Sequence, residues 1–495
     1  MPRNRVDAVI TQLADYVMAP SRLDSELALR TAHLTLLDAL GCALLATGEP
    51  DAVRTARPLF ASAEAAQSRV IGTGWRSDPV QTAFANGTLI RWLDFNDAWL
   101  ALEWGHPSDN FGALLAVTDH IALRSLDTAR SSNTAQSPGE APTVADLLIA
   151  GIQAYEIQGV LALGMALNRH GLDHVANVRI ASAAVATRLL GGGHAEVTSA
   201  ITHAWADGGA LRTYRHAPNV TARKSWAAGD ATSRAVRLAY LALRGEEPVR
   251  SVLTTPTWGF SDALLGGATL ALDRELGSYI MENVLLKPAY PTEYHAQTAV
   301  EAAVKLRPQL GDLVHETAVH EIARIEIRTH EAAVRIISKS GPLTNPADRD
   351  HCLEYIVAVA LLYGEVTSRH YHDDIAADPR IDQLRALTQV TEDTEYSKAY
   401  LDPNERVVPN ALRVHFINGT ATDWVEVRIP LGHPARREEA EPYVTAKLHA
   451  GLAATMPERA QEVASALADG DELLNRPVSE LVDLVTPADT QKRSF

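Results

Sequence analysis

The segment Leu27–Leu45, LALRTAHLTLLDALGCALL, is rich in alanine and leucine and nearly apolar on every side. A helix of this composition has no polar face to turn to water, so it must lie inside a bundle. Similar blocks recur at Gln81–Leu93, Phe111–Leu123, Val144–Leu167, Val178–Leu190, Ala195–Asp207 and Thr232–Arg244, and their alanines allow close packing. Between two of them, Asp127–Pro142 lacks periodicity and reads as a surface loop; Thr143 and Asp146 then fit a capping box that restarts the helix.

The texture changes near Asp273. Thr292–Leu306 reads as a helix capped by Thr292 and stopped by Pro308. Strand-like segments follow at Ile322–Thr329, Leu412–Phe416 and Thr422–Ile429, with Asn418-Gly419 as the turn of a hairpin. A helix is expected at Cys352–Tyr363, and beyond His433 helices return at Ala446–Thr455, Ala460–Ala468 and Val478–Leu484. The pattern predicts a mainly α chain. A large all-helical domain is expected from residues 1–275 and 435–495, interrupted by a smaller inserted α+β domain at 276–434.

Composition narrows the function. Lys and Arg number 45 against 61 Asp and Glu, a formal charge of −16, which repels nucleic acid and anionic lipid. No apolar run is expected to reach the roughly 20 residues that cross a bilayer. The start, MPRNRVDAVITQLADYV, has neither a signal-peptide core nor a transit pattern, so a cytoplasmic protein is expected. Two distant cysteines, Cys42 and Cys352, disfavour a disulfide scaffold, a zinc ribbon and an iron–sulfur cluster. Any chemistry then falls to His, Asp, Glu, Lys and hydroxyls.

Four stretches could carry it. Leu93–Asn110, LDFNDAWLALEWGHPSDN, packs Asp94, Asp97, Glu103, His106, Ser108 and Asp109 between apolar helices, either as the wall of a pocket or as a capped surface loop. Gly208–Asp230 concentrates Arg212, Arg215, His216, Arg223 and Lys224 with no acid before Asp230, which suits a small polyanion or pairing with the acidic remainder. Lys287–Gln297, KPAYPTEYHAQ, holds Lys287, Glu293 and His295. At about 100° per residue, Glu293 and His295 would stand about 160° apart on a helix and could not share a site. The row Glu293, Gln297, Glu301 and Lys305 would be a solvated face. In Asn168–Asn177, His170 and His174 have the spacing of paired metal ligands, but Gly171 disfavours a continuous helix, so a metal site is the weaker reading.

Six ordered blocks together resemble the MmgE/PrpD family: LLDALGCALLATG, LDFNDAWLALEWGHPSDN, GLDHVANVRIAS, LRTYRHAPNVTARKSWAAGDA, YPTEYHAQTAVEAA and NPADRDHCLEY. The resemblance implies a helical domain with an α+β lid, a homodimer, and no metal or cofactor. It implies dehydration of 2-methylcitrate to 2-methyl-cis-aconitate, a step of propionate catabolism. Three carboxylates of such a tricarboxylate need cations, one group must take a proton and another must protonate the leaving hydroxyl. By position, Asp94, His106, His174, Lys224 and Glu293 match the family's active site. Arg212, Arg215, Arg223, Ser108, Lys287 and His295 are candidates for holding substrate. His106 and His174 are the acid/base candidates, and the choice between them stays open. Family alternatives are a cis-aconitate decarboxylase, where relatives carry histidine in place of Glu293, and an epimerase. An inactive tricarboxylate-binding protein is the alternative of another class. Ala98 stands where many relatives have threonine, which removes a hydrogen bond worth about 0.5–1.5 kcal/mol net.

Overall fold

Ser25 starts the apolar helix by accepting a hydrogen bond from the backbone N–H of Ala28, and Thr47 closes it. This computed structural model describes residues 6–20, 25–60, 68–131, 141–216, 219–314, 319–402 and 405–487. Its helices of ten residues or more are α1 (Ala8–Val17), α2 (Glu26–Ala46), α3 (Pro79–Arg91), α4 (Phe111–Ser131), α5 (Val144–Gly164), α6 (Val175–Leu189), α7 (His194–Ala206), α8 (Arg223–Leu243), α9 (Gln297–Leu306), α10 (Leu353–Tyr363) and α11 (Arg437–Thr455). The fold is mainly α.

Helix α2 is buried around its circumference, as its composition requires, and packs against α3, α5 and α11. Its crossing with α11 is close because both helices lack a side chain there. A Cβ on Gly41 would meet the Leu448 backbone nitrogen at 3.1 Å, and one on Gly451 would meet Leu44 Cβ at 2.7 Å. Contrary to the sequence expectation, α2 and α5, at 21 residues each, are long and apolar enough to span a bilayer. Their most apolar windows are 78% and 83% buried inside the protein, so protein packing accounts for their apolar surface.

The capping box at Thr143 and Asp146 opens α5. The loop expected at 127–142 is shortened: α4 continues to Ser131, while residues 132–140 lie outside the described residues. One hydrophobic core gathers side chains from Val9 to Leu286 and again from Val444 to Val485. A second core takes residues between Ala296 and Val427.

After a short ribbon of β1 (Ser68–Arg69) and β2 (Arg76–Ser77), the second core contains β3 (Ile322–Thr329), β4 (Thr388–Glu392), β5 (Asn410–Phe416) and β6 (Val425–Val427). Their order is β4-β3-β5-β6, with β4 parallel to β3 and the remaining pairs antiparallel. The Asn418-Gly419 turn joins β5 to β6, as expected, with Gly419 at φ +87°. Helix α9 lies on β5 and β6 and against α10.

Helix α9 starts later than expected. Glu293 is extended and caps a short 3-10 turn, Tyr294–Ala296, by accepting from the His295 N–H; Thr292 does not cap it. Glu293, Gln297 and Glu301 are buried rather than solvated, and of the expected row Lys305 is exposed.

Candidate active site

A cleft lies between polar residues beside the first core, such as His106 and His174, and residues such as Glu293, Ile336 and His351 near the second. Two backbone bridges shape its floor. Ala98 and Leu285 exchange both hydrogen bonds, at 2.7 and 3.0 Å, which brings the Lys287 segment beside Asp94. Trp99 and Gly105 exchange two more, folding EWGHP back on itself. Glycine suits this bend, since a Cβ on Gly105 would come 3.0 Å from His174 Cδ2 and press on that ring.

Asp94, at φ +50°, is the hub of the charged wall. Arg91, at the end of α3, reaches its Oδ1 at 2.8 Å. Lys287 donates to its carboxylate and, at 2.8 Å, to its backbone carbonyl. Lys224, in the first turn of α8, lies 3.8 Å from Asp94 Oδ2 and donates to both oxygens of Asp350 at 2.6 and 2.7 Å. Burial alone would raise the Asp94 carboxyl; Arg91, Lys287 and Lys224 outweigh it and hold the group well below the usual carboxylate range. Burial lowers the Lys224 ammonium despite the attraction of Asp350 and Asp94.

The two candidate imidazoles meet edge to face, ring centres 5.5 Å apart. His106 Nδ1 lies 2.6 Å from the Asp97 carbonyl, which can only accept, so the proton is assigned to Nδ1 and Nε2 accepts from Arg91 at 2.9 Å. Burial, with Arg91 and Lys287 nearby, lowers His106 well below the usual histidine value and keeps it neutral.

His174 differs. Its Nδ1 is 3.0 Å from Asp173 Oδ1 but out of line for a hydrogen bond, and its buried Nε2 has no partner. Burial lowers it to about 4, against the opposing pull of Asp173. Arg215 grips Asp173 through Nε and, at 3.2 Å, Nη2.

Arg212 supplies an uncommitted donor. It is buried over the Trp104 ring at 5.0 Å, and its Nη1 stands 3.6 Å from Glu103 Oε1, too far for a hydrogen bond. Burial raises Glu103 to about 7, which weakens its claim on Arg212.

Across the cleft, Glu293 accepts from His295 Nδ1 at 2.7 Å as well as from the His295 backbone. His295 Nε2 meets the Tyr400 hydroxyl at 3.0 Å, and Tyr400 stacks on His330 at 4.3 Å. Burial would raise Glu293, but His295 brings it down to about 2. Because Glu293 precedes the helix, the two residues expected to be 160° apart are in contact.

The structure therefore brings Asp94, His106, His174, Glu293, Arg212, Arg215 and Lys287 to one cleft, with Lys224 one layer behind. Two candidates lie deeper. Ser108 donates to Asp97 at 2.7 Å and accepts from Asn96 at 2.8 Å, bracing the loop, while His295 orients Glu293. Arg223 does not belong to the cleft: one step before Lys224 on α8, it turns outward over Tyr214 and Trp226 and has a 37% exposed side chain. His170 is exposed and separated from buried His174, so they form no ligand pair.

Sequence reasoning missed Arg91, Asp173, Asp350 and His351. The last two lie within NPADRDHCLEY, where an acid-histidine pair beside a helix start was the available signal. Asp94, Asp350 and His351 converge as a metal site would require. The Lys224 ammonium stands among them, 3.1 Å from His351 Nδ1, so these groups already share a cation.

The sequence profile of the MmgE/PrpD N-terminal domain matches residues 11–273, and that of the MmgE/PrpD C-terminal domain matches residues 290–472. The chain is 46% identical to a 2-methylcitrate dehydratase of Escherichia coli K12 over 97% of its own length and 98% of the relative's. It is 48% identical to one of Cupriavidus necator over 97% of both chains, and 46% identical to a mitochondrial one of Yarrowia lipolytica over 98% of its own length and 92% of the relative's. With both domain profiles matched in order and near-complete coverage of these relatives, the chain belongs to the MmgE/PrpD family.

Proposed function

We propose that this protein is a hydro-lyase that removes water from 2-methylcitrate to give 2-methyl-cis-aconitate. The observation that carries the reading is the pairing of an unpartnered His174 Nε2 with an unpartnered Arg212 Nη1 in one cation-rich cleft. Full-length similarity to several 2-methylcitrate dehydratases supports the choice of substrate.

Arg212 and Lys287 receive substrate carboxylates, and charge-assisted bonds in a buried cleft hold them firmly. His174 Nε2 takes the proton from the carbon that bears a carboxylate. The C–H electron pair becomes the new double bond as the neighbouring C–O bond breaks. The departing hydroxide takes that proton from the His174 imidazolium, so it leaves as water and His174 returns to its neutral form. Asp173 stabilises the imidazolium, as an orienting carboxylate does in other acid/base pairs. His106, neutral and tied at both nitrogens, fixes Arg91 against Asp94.

The same reading takes the protein to work without a metal or organic cofactor, as a cytoplasmic homodimer, with residues 276–434 acting as a lid. The test is purified protein with EDTA and 2-methylcitrate, following ultraviolet absorbance of the conjugated product. Product that forms despite chelation is expected. Carbon dioxide release from cis-aconitate would assign a decarboxylase instead, and inertness toward every tricarboxylate a binding protein.

A further inference from the structure

Lys447, on α11, is buried deep behind the cleft and is absent from its lining. Its ammonium donates at 2.6 Å to Asp38 Oδ1 on α2, at 2.9 Å to the Phe95 carbonyl and at 2.8 Å to the Lys287 carbonyl. It also lies 3.6 Å from the Phe95 ring centre. An ammonium has three N–H donors, and these three oxygens use all of them. Nothing remains for a ligand, so a direct catalytic role is closed to it.

The two carbonyls identify the role. One belongs to the residue after Asp94, and the other belongs to Lys287. Those residues form the central ion pair of the cleft. One ammonium therefore ties together both backbone segments that deliver the pair. Asp94 also needs such restraint: it is one of three non-glycine residues at positive φ among the described residues.

We propose that Lys447 is a positioning residue that sets the separation and backbone conformation of the Asp94–Lys287 pair. The proposal rests on the cleft being the catalytic site of the dehydratase reading. Core stability alone does not account for the arrangement. A buried ion pair can be replaced by apolar side chains with little loss of stability, but apolar side chains cannot hold two carbonyls at a fixed spacing.

The test compares wild type, Lys447→Met, the double variant Asp38→Leu with Lys447→Met, and Asp38→Asn, all assayed well below their melting temperatures. Lys447→Met is expected to lower kcat about 100-fold, the scale of a small misplacement of reacting groups, with KM within about threefold. The double variant should recover thermal stability without recovering kcat. Asp38→Asn leaves the ammonium on both carbonyls, so kcat should stay within about threefold of wild type.

Recovery of kcat alongside stability in the double variant overturns the proposal. So does a fall in Asp38→Asn that matches Lys447→Met, the outcome that remains decisive if the double variant does not fold. Absence of turnover by the wild-type protein overturns the dehydratase reading itself, and is seen before any variant is compared.

Discussion

Lys287 donates to both the carboxylate and the backbone carbonyl of Asp94, joining two segments 193 positions apart in the chain. Both residues are buried, so neither charge has water as an alternative partner. Lys287→Met should lower stability by about 3–5 kcal/mol and turnover by at least about 100-fold. Thermal melts and steady-state rates check both effects. Full activity in a folded variant would remove Lys287 from the site.

His174→Ala should reduce kcat by about 10²–10⁴-fold, the range for loss of a general base. Its ring nitrogens make no hydrogen bond that the fold would lose. Circular dichroism should therefore show unchanged helix content. A near-normal rate would transfer the proton-abstracting role to another group.

The pH profile offers a separate check. Burial holds His174 at about 4, below the usual histidine value. A base works only when deprotonated, so kcat/KM should fall as pH drops through that value rather than near 6.5. An acid limb centred at 6 or above in the wild-type protein would contradict this assignment.

Arg212→Met removes an uncommitted guanidinium donor from the cleft. A hydrogen bond to a charged group contributes about 1.5–3 kcal/mol, so KM should rise by roughly 10- to 150-fold. The effect on kcat should be smaller. Equal losses in kcat and kcat/KM would instead place Arg212 in the transition state alone.

Asp109 tests the buried acids under the loop. Burial raises it to about 7, with one oxygen bonded to Asn96 at 3.0 Å and the other unpartnered. A carboxyl raised in the fold stabilises most when protonated, and that contribution is lost as pH rises from about 4 through 7. Asp109→Asn should therefore exceed wild-type stability by a margin that is modest at pH 5 and clearly larger at pH 8. Parallel melting curves at both pH values would refute the assignment.

Much of the helical framework was legible because burial and composition coincide: α2 is apolar all round in sequence and enclosed in structure. Strand β4 escaped notice because TQVTE is a half-exposed, largely polar edge with no apolar alternation. At the site, Asp94 and His106 stood out as polar residues between apolar helices. Arg91 did not, since an arginine in the last turn of a helix ordinarily offsets the helix dipole. Nor did Asp173, whose role depends on Arg215 folding back from 42 positions away. The Glu293–His295 contact was misjudged because the helical angle was applied one turn too early.

The crossing of α2 and α11 has a consequence for biosynthesis. Asp38 and Lys447 are 409 positions apart, so an acid made early waits for its ammonium until most of the chain has been synthesised. Such distant closure is slow in general, because loop entropy is lost before the contact compensates for it. During that interval Asp38 is a carboxylate without its ammonium in the apolar stretch of α2. A growing chain at this stage is a natural client for chaperones, and the reactive cleft cannot take shape before the bundle has closed.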